Sequence, residues 1–176
     1  MSSDRAPWLA EAATSLVGAA GEHYVMTHLL LRGALAALTP RGAKDTDILV
    51  TSADGLVVAE VQVKARSGKS GKGWRMSDKN QTARDRLFYC LVDFGHVPDW
   101  SVYVMPSKVV ATYLEKSHED WLSTPGKNGK ARKDWSGRFI LPDKPKPGWV
   151  PGEPKGGWLN DYQDRWDLIL GACRRQ

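Results

Sequence analysis

A mixed α/β fold, with one central sheet and helices on its faces, is what this sequence predicts. Three observations carry the prediction. The 176-residue chain opens on a helical apolar pattern. A β-rich block follows, in which two Val-rich runs are joined by Asp54-Gly55. Two further apolar runs then lead into a second helical stretch, and this order of elements suits a single sheet covered by helices. Hydrophobic residues make up 41% and charged residues 26%, the balance of an ordinary globular unit. The length is sufficient for a core that needs no staples.

Taken in order, residues 1–7 read as a loose terminus. The helical pattern runs from about Trp8 to Arg32. Its clearest part is Glu22, Val25, Met26, Leu29 and Leu30, which share one helix face, and Gly33 suits its C-terminal cap. ALAALT (34–39) predicts a short strand that Pro40 stops. ILVTS and LVVAEVQVKAR form a hairpin, because Asp-Gly between β-like runs is a strong turn signal. SGKSGKG (67–73) reads as a flexible loop and residues 74–77 as a short strand. LFYCLVDF (87–94) is a buried strand and SVYVM (101–105) another. Ser107 is placed to N-cap a helix through SKVVATYLEKSHEDWL. Residues 123–157 are rich in Pro, Gly and Lys and predict loop, with a short strand near RFIL (138–141). The closing NDYQDRWDLILGACRR predicts a helix that partly buries Trp166, Leu168, Ile169 and Leu170. Residues 1–122 are thus expected to form the core, and residues 123–176 an extension packed on it.

The two cysteines have no partners at metal-ligand spacing, and Cys90 sits in an apolar run as a small core residue. A reducing, cytoplasmic setting is expected. No stretch approaches the roughly 20 apolar residues that span a bilayer, and the residues MSSDRAPW have no signal-peptide pattern. His23 and His28 share no helix face, and no His pair has zinc spacing. Net charge is +5 and uneven: residues 64–86 net +6, residues 127–155 net +5, and the remainder −6. A polyanionic partner explains that distribution, as do two solvated basic loops. Trp74, Trp135, Trp149 and Trp158 lie in basic or Gly/Pro-rich stretches, where they either stack on bases or pin long loops to the core.

The hairpin aligns the polar residues. With a two-residue loop at Asp54-Gly55, Asp47 falls opposite Gln62, Asp45 opposite Lys64 and Leu49 opposite Glu60. Directly opposed residues point to one face, so Asp45, Asp47, Glu60, Gln62 and Lys64 gather there. Ile48, Val50, Val57, Val61 and Val63 go to the other face. Carboxylate and amide oxygens are hard ligands suited to Mg²⁺. A Lys beside them orients water or offsets phosphate charge. The alternative is a solvent-facing hairpin with cross-strand ion pairs, in which Asp45 pairs with Lys64 and Glu60 pairs with a base.

Here DTDILVTSADGLVVAEVQVK resembles the PD-(D/E)XK nuclease superfamily, the restriction-endonuclease-like fold. That motif places an Asp on one hairpin strand and a (D/E)-x-K triplet on the next. Asp47 matches the Asp, and Gln62-Val63-Lys64 the triplet. Gln62 departs from the acidic consensus in the manner of members resembling Mrr-type restriction nucleases. GAAGEHYVMTHLL adds Glu22, at the position of an acid on the first helix. With LFYCLVDF and VYVMPSKVV, the likeness to small uncharacterised bacterial members covers roughly residues 18–122.

The resemblance implies a restriction-endonuclease-like mixed sheet flanked by helices, and an Mg²⁺- or Mn²⁺-dependent nuclease acting on DNA. Asp47, the Gln62 side-chain oxygen and the Val63 carbonyl would hold the metal. Lys64 would position water, and Glu22 a metal-bound water or second metal. Lys69, Lys72, Trp74 and Arg75, just after the triplet, are candidates to contact the nucleic acid. A homodimer is a common arrangement in the superfamily, although no segment marks an interface. Because Gln62 removes a negative charge, the alternative is a weak or inactive nuclease fold that only binds nucleic acid.

Overall fold

The computed structural model describes residues 9, 11–40, 43, 45–52, 55, 58–68, 73–96, 98–126, 128–142 and 157–173. Helix α1 (Thr14–Leu31) is followed by strands β1 (Leu35–Leu38), β2 (Ile48–Thr51), β3 (Val58–Arg66) and β4 (Trp74–Ser77). A 3-10 turn (Asp78–Gln81) leads to β5 (Leu87–Asp93), β6 (Ser101–Pro106) and helix α2 (Ser107–Ser123). Strand β7 (Gly137–Ile140), a second 3-10 turn (Trp158–Tyr162) and helix α3 (Trp166–Ala172) complete the order.

Five strands form one mixed sheet in the order β1-β2-β3-β5-β6. Its outer pairs are antiparallel and its central pair, β3 with β5, is parallel. A parallel pair needs a crossover. Here β4 and the first 3-10 turn lie between β3 and β5 in sequence, and β4 pairs with β7 as a separate two-stranded sheet. Every residue of β5 is buried, as expected of a strand covered on both faces.

Each face of the sheet has its own core. On one, Val25 and Leu29 of α1 and Trp166 and Ile169 of α3 pack with Ile48, Val61, Val63, Cys90 and Val92. On the other, Trp74, Met76, Val110, Leu114, Ile140 and Trp158 pack with Leu87, Tyr89 and Leu91. Burying each of the larger aliphatic side chains contributes about 1.5–3 kcal/mol. Gly21 sets how closely α1 sits: a Cβ there would fall 2.6 Å from the Cβ of Ala65. Gly33, with φ of 79°, follows α1 in the left-handed conformation that its lack of a Cβ permits.

The strands fall where the sequence pattern puts them, and two details differ. Ser107 begins α2, but Pro106 occupies the cap position. The Ser107 hydroxyl instead accepts from the Arg84 amide and donates to the Arg84 carbonyl. The closing stretch is divided, because Asp164 takes a φ of 53° between the second 3-10 turn and α3. Asp54 of the expected hairpin turn, with its neighbours 53, 56 and 57, lies outside the described residues, as do Lys69 and Lys72.

Candidate functional site

The register of the β2–β3 hairpin is the one the Asp-Gly turn predicts: Ile48 pairs with Val61, Leu49 with Glu60, Val50 with Ala59 and Thr51 with Val58. The ladder then breaks. The Asp47 amide donates to the Val61 carbonyl, one residue out of step, at 2.9 Å. Asp47 therefore does not pair with Gln62 through the backbone. Its carboxylate accepts the Val63 N–H at 2.7 Å, taking the place of a strand carbonyl. Asp45 leaves the strand altogether, with a φ of 60°. Among the described ion pairs none joins Asp45 to Lys64, so that expected cross-strand pair is not formed.

The N–H and C=O of one strand residue point to the same side. The Val61 carbonyl and the Val63 N–H both face β2, whereas the Glu60 N–H and Arg66 carbonyl face β5. The Val63 carbonyl consequently faces the gap where β2 has ended, beside the Asp47 carboxylate. Asp47 and Val63, the middle residue of the Gln62-Val63-Lys64 triplet, thus meet at one opening in the sheet.

Gln62 and Lys64 project to the face occupied by Tyr89 and Leu91, their partners on β5. Gln62 is 7% exposed there, and its side-chain oxygen accepts from Asn80 Nδ2 at 3.1 Å. Asn80 Nδ2 also donates to the Tyr89 hydroxyl at 3.0 Å. Burial raises the Tyr89 pKa, against the lowering effects of the Asn80 hydrogen bond and Arg84; Asp45 raises it further. The phenol is therefore protonated at neutral pH, and Asp45 is near enough to act on it. Lys64 is half-exposed and has no hydrogen bond or ion pair with a described residue.

Glu60 is held by two donors on one oxygen, the Thr46 hydroxyl and the Arg84 guanidinium, each at 2.7 Å. That is the pairing with a base that the sequence offered as the plain alternative. Arg66 completes the row, paired with Asp93 and lying over the Trp74 ring at 4.3 Å. Trp74, expected to meet nucleic acid, is instead 1% exposed in the core, with its Nε1–H donated to the Val92 carbonyl. A fully buried indole offers no face to a base. Arg75 is exposed on β4. Glu22 is half-buried next to Gly21 on α1, which packs against Val63 and Ala65. It thus approaches from the opposite side of the sheet to Gln62 and Lys64.

Asn80, Tyr89, Thr46 and Arg84 are absent from the sequence-based set. Only Asn80 left a trace, as the fourth residue of SDKN, where it accepts from the Ser77 amide at 2.9 Å. Basic character recurs beside β7, where Lys130 and Lys133 are exposed and Arg132 lies over the Trp121 ring at 4.7 Å.

The donors at the opening are hard oxygens, the Asp47 carboxylate and the Val63 carbonyl, while the Gln62 oxygen is engaged by Asn80. They suit Mg²⁺ or Mn²⁺ in kind, with one negative charge between them. Among the described residues no three His, Cys, Asp or Glu side chains gather as a metal cluster. No described helix is long and apolar enough to cross a membrane.

No protein-family model matches the chain, and no curated protein does. Among solved structures it matches that of a bacterial homing endonuclease, I-Ssp6803I, with a TM-score of 0.53 and 17% identity. The match covers 91% of this chain and 93% of that one. At that identity the likeness is one of fold: this chain has a mixed α/β architecture shared with a nuclease.

Proposed function

We propose that this protein is a divalent-cation-dependent nuclease that hydrolyses DNA phosphodiester bonds at the opening between β2 and β3. One observation carries the reading: the Asp47 carboxylate is clamped on the Val63 amide at the point where β2 ends, with Lys64 next in the chain. The nuclease-like fold and the two basic segments support it.

In the reaction a water oxygen forms a bond to phosphorus and the bond from phosphorus to one sugar oxygen breaks. The attacking water gives up one proton to solvent, and the departing sugar oxygen gains one. Asp47 and the Val63 carbonyl are the residues that would hold Mg²⁺ or Mn²⁺, with Gln62 beside them and Glu22 across the sheet. Bound there, the ion supplies a lowered pKa for water and offsets charge on phosphorus. Lys64 contributes an ammonium, which hydrogen-bonds the attacking water and the phosphate oxygens. Its backbone is held by pairing with Leu91 of β5, so the group is in place without a loop movement.

A second reading is a nucleic-acid-binding module that does not cut. The neutral Gln62, whose oxygen is occupied by Asn80, favours it by leaving few anionic donors. Cleavage of linear, nicked and branched DNA with Mg²⁺ or Mn²⁺ separates the two. The nuclease reading expects wild type to cut and Lys64→Ala to lose cutting while still binding. Equal behaviour of the two proteins on all substrates refutes it.

A further inference from the structure

The orientation of Gln62 follows from a chain of hydrogen bonds that starts at a backbone group. The Ser77 amide can only donate, and it meets Asn80 Oδ1 at 2.9 Å; the Ser77 hydroxyl lies 3.1 Å from the same atom. That fixes which end of the Asn80 carboxamide is oxygen. Asn80 Nδ2 must then point the other way, toward Gln62 and the Tyr89 hydroxyl. A donor facing Gln62 requires the Gln62 oxygen to face it in return. Asn80 is 5% exposed and Gln62 7%, so reversing either amide would set two donors or two acceptors against each other away from water. Once its oxygen is turned to Asn80, Gln62 has two N–H groups left to offer, and no described residue accepts them.

We infer that Gln62 is a hydrogen-bond donor to a phosphate oxygen of the bound nucleic acid rather than a metal ligand, and that Asn80 is the positioning residue that holds it so. This inference rests on the nuclease-like reading of the site but not on its catalytic step. It gives the neutral side chain a use that an acid could not serve. A carboxylate at position 62 could also accept from Asn80, but its second oxygen would repel phosphate. The cation is then left to Asp47 and the Val63 carbonyl.

The test uses the full chain and two equilibria, neither of which requires turnover. A fluorescein-labelled DNA duplex is titrated by anisotropy in EDTA, and Mn²⁺ binding is measured by calorimetry without DNA. Gln62→Ala should weaken metal-free DNA binding roughly tenfold or more, as expected for a lost hydrogen bond to a charged group. It should leave Mn²⁺ affinity within about twofold, well under the roughly 10–100-fold that even outer-shell changes at metal sites cost. Gln62→Glu should weaken DNA binding further and tighten Mn²⁺. Asn80→Asp supplies the control that mere packing would not pass. The introduced carboxylate accepts from Gln62 and turns the Gln62 oxygen toward the opening, so DNA affinity falls while Mn²⁺ affinity rises. Gln62→Glu and Asn80→Asp are near-isosteric, and thermal melting of every variant, Gln62→Ala included, verifies that the fold is kept.

The inference is overturned if Gln62→Ala leaves DNA affinity unchanged and lowers Mn²⁺ affinity, since Gln62 would then be a ligand through its oxygen. A wild type that shows no metal-free DNA binding also overturns it. A wild type that binds as expected but never cuts removes only the nuclease reading, and the opposed DNA and Mn²⁺ shifts still support the donor assignment.

Discussion

On the proposed reading Asp47 has two separable roles, and replacing it in two ways should pull them apart. Its carboxylate accepts the Val63 N–H at 2.7 Å, and Val63 is 8% exposed. Asp47→Ala leaves that amide without a partner, a loss of about 1–3 kcal/mol for a group mostly shielded from water. In a chain of this size each kcal/mol moves the melting temperature by about 2–4 °C, so Asp47→Ala should melt about 2–12 °C lower. Asp47→Asn keeps an oxygen for the Val63 amide and should melt close to wild type. It nonetheless lacks the charge that a divalent cation requires. Cutting should fall by at least the roughly 10–100-fold that changes around a metal site cost. The assays are thermal melting and plasmid cleavage in Mg²⁺ and Mn²⁺. If Asp47→Asn cuts as well as wild type, the carboxylate is a structural clamp and nothing more. If Asp47→Ala melts like wild type, the clamp is not made.

Two further predictions concern the support around the site. Gly21→Ala places a Cβ 2.6 Å from that of Ala65 and 3.4 Å from Val63 Cγ1. The overlap costs about 1–3 kcal/mol and outweighs the roughly 1 kcal/mol that Ala gains over Gly in a helix. The melting temperature should fall, and Ala65→Gly in the same chain should restore part of it; an additive pair would refute the close approach. His28 lies between Tyr24 and Trp166, with Arg32 Nη1 donating to its Nδ1 at 3.1 Å. Burial, and then Arg32, lower its pKa below the ordinary value of 6.5. The unfolded chain therefore binds the proton more readily, and stability is lost as pH falls through about 6.5 and below. Thermal melts from about pH 7.5 down to about pH 5 should show a smaller loss in His28→Phe than in wild type across this window. Parallel profiles would exclude His28 as the source.

Much of the fold was legible because local signals agreed with one another. The Asp-Gly signal predicted the register that β2 and β3 adopt, and the apolar run of β5 marked a strand covered on both faces. What was hidden depends on conformation or on distant partners. Asp45 adopts a left-handed φ that no pattern in DTDILV announces, and this carries it off the strand. Trp74 stands among basic and glycine residues, yet its indole is buried by β4 pairing with β7 more than 60 residues later. Asn80 reaches Gln62 from a turn 18 positions on, so its part in the site has no sequence spacing to betray it.

The row of polar residues along β3 shows why position 64 matters most. A buried or half-buried polar group is costly unless it is partnered, and a strand at the centre of a sheet has little room for such groups. Glu60 is tied to Thr46 and Arg84, Gln62 to Asn80, and Arg66 to Asp93 with its guanidinium over Trp74. Each tie fixes a rotamer and spends a charge or an oxygen. Lys64 is the exception in the row, since no described residue pairs with its ammonium. A half-buried cation flanked on both sides by residues with dedicated partners is poorly explained by stability, which a matching acid or an apolar residue would serve better. The proposed function explains it by an anion that arrives from outside, at the opening where the Asp47 carboxylate is clamped on Val63.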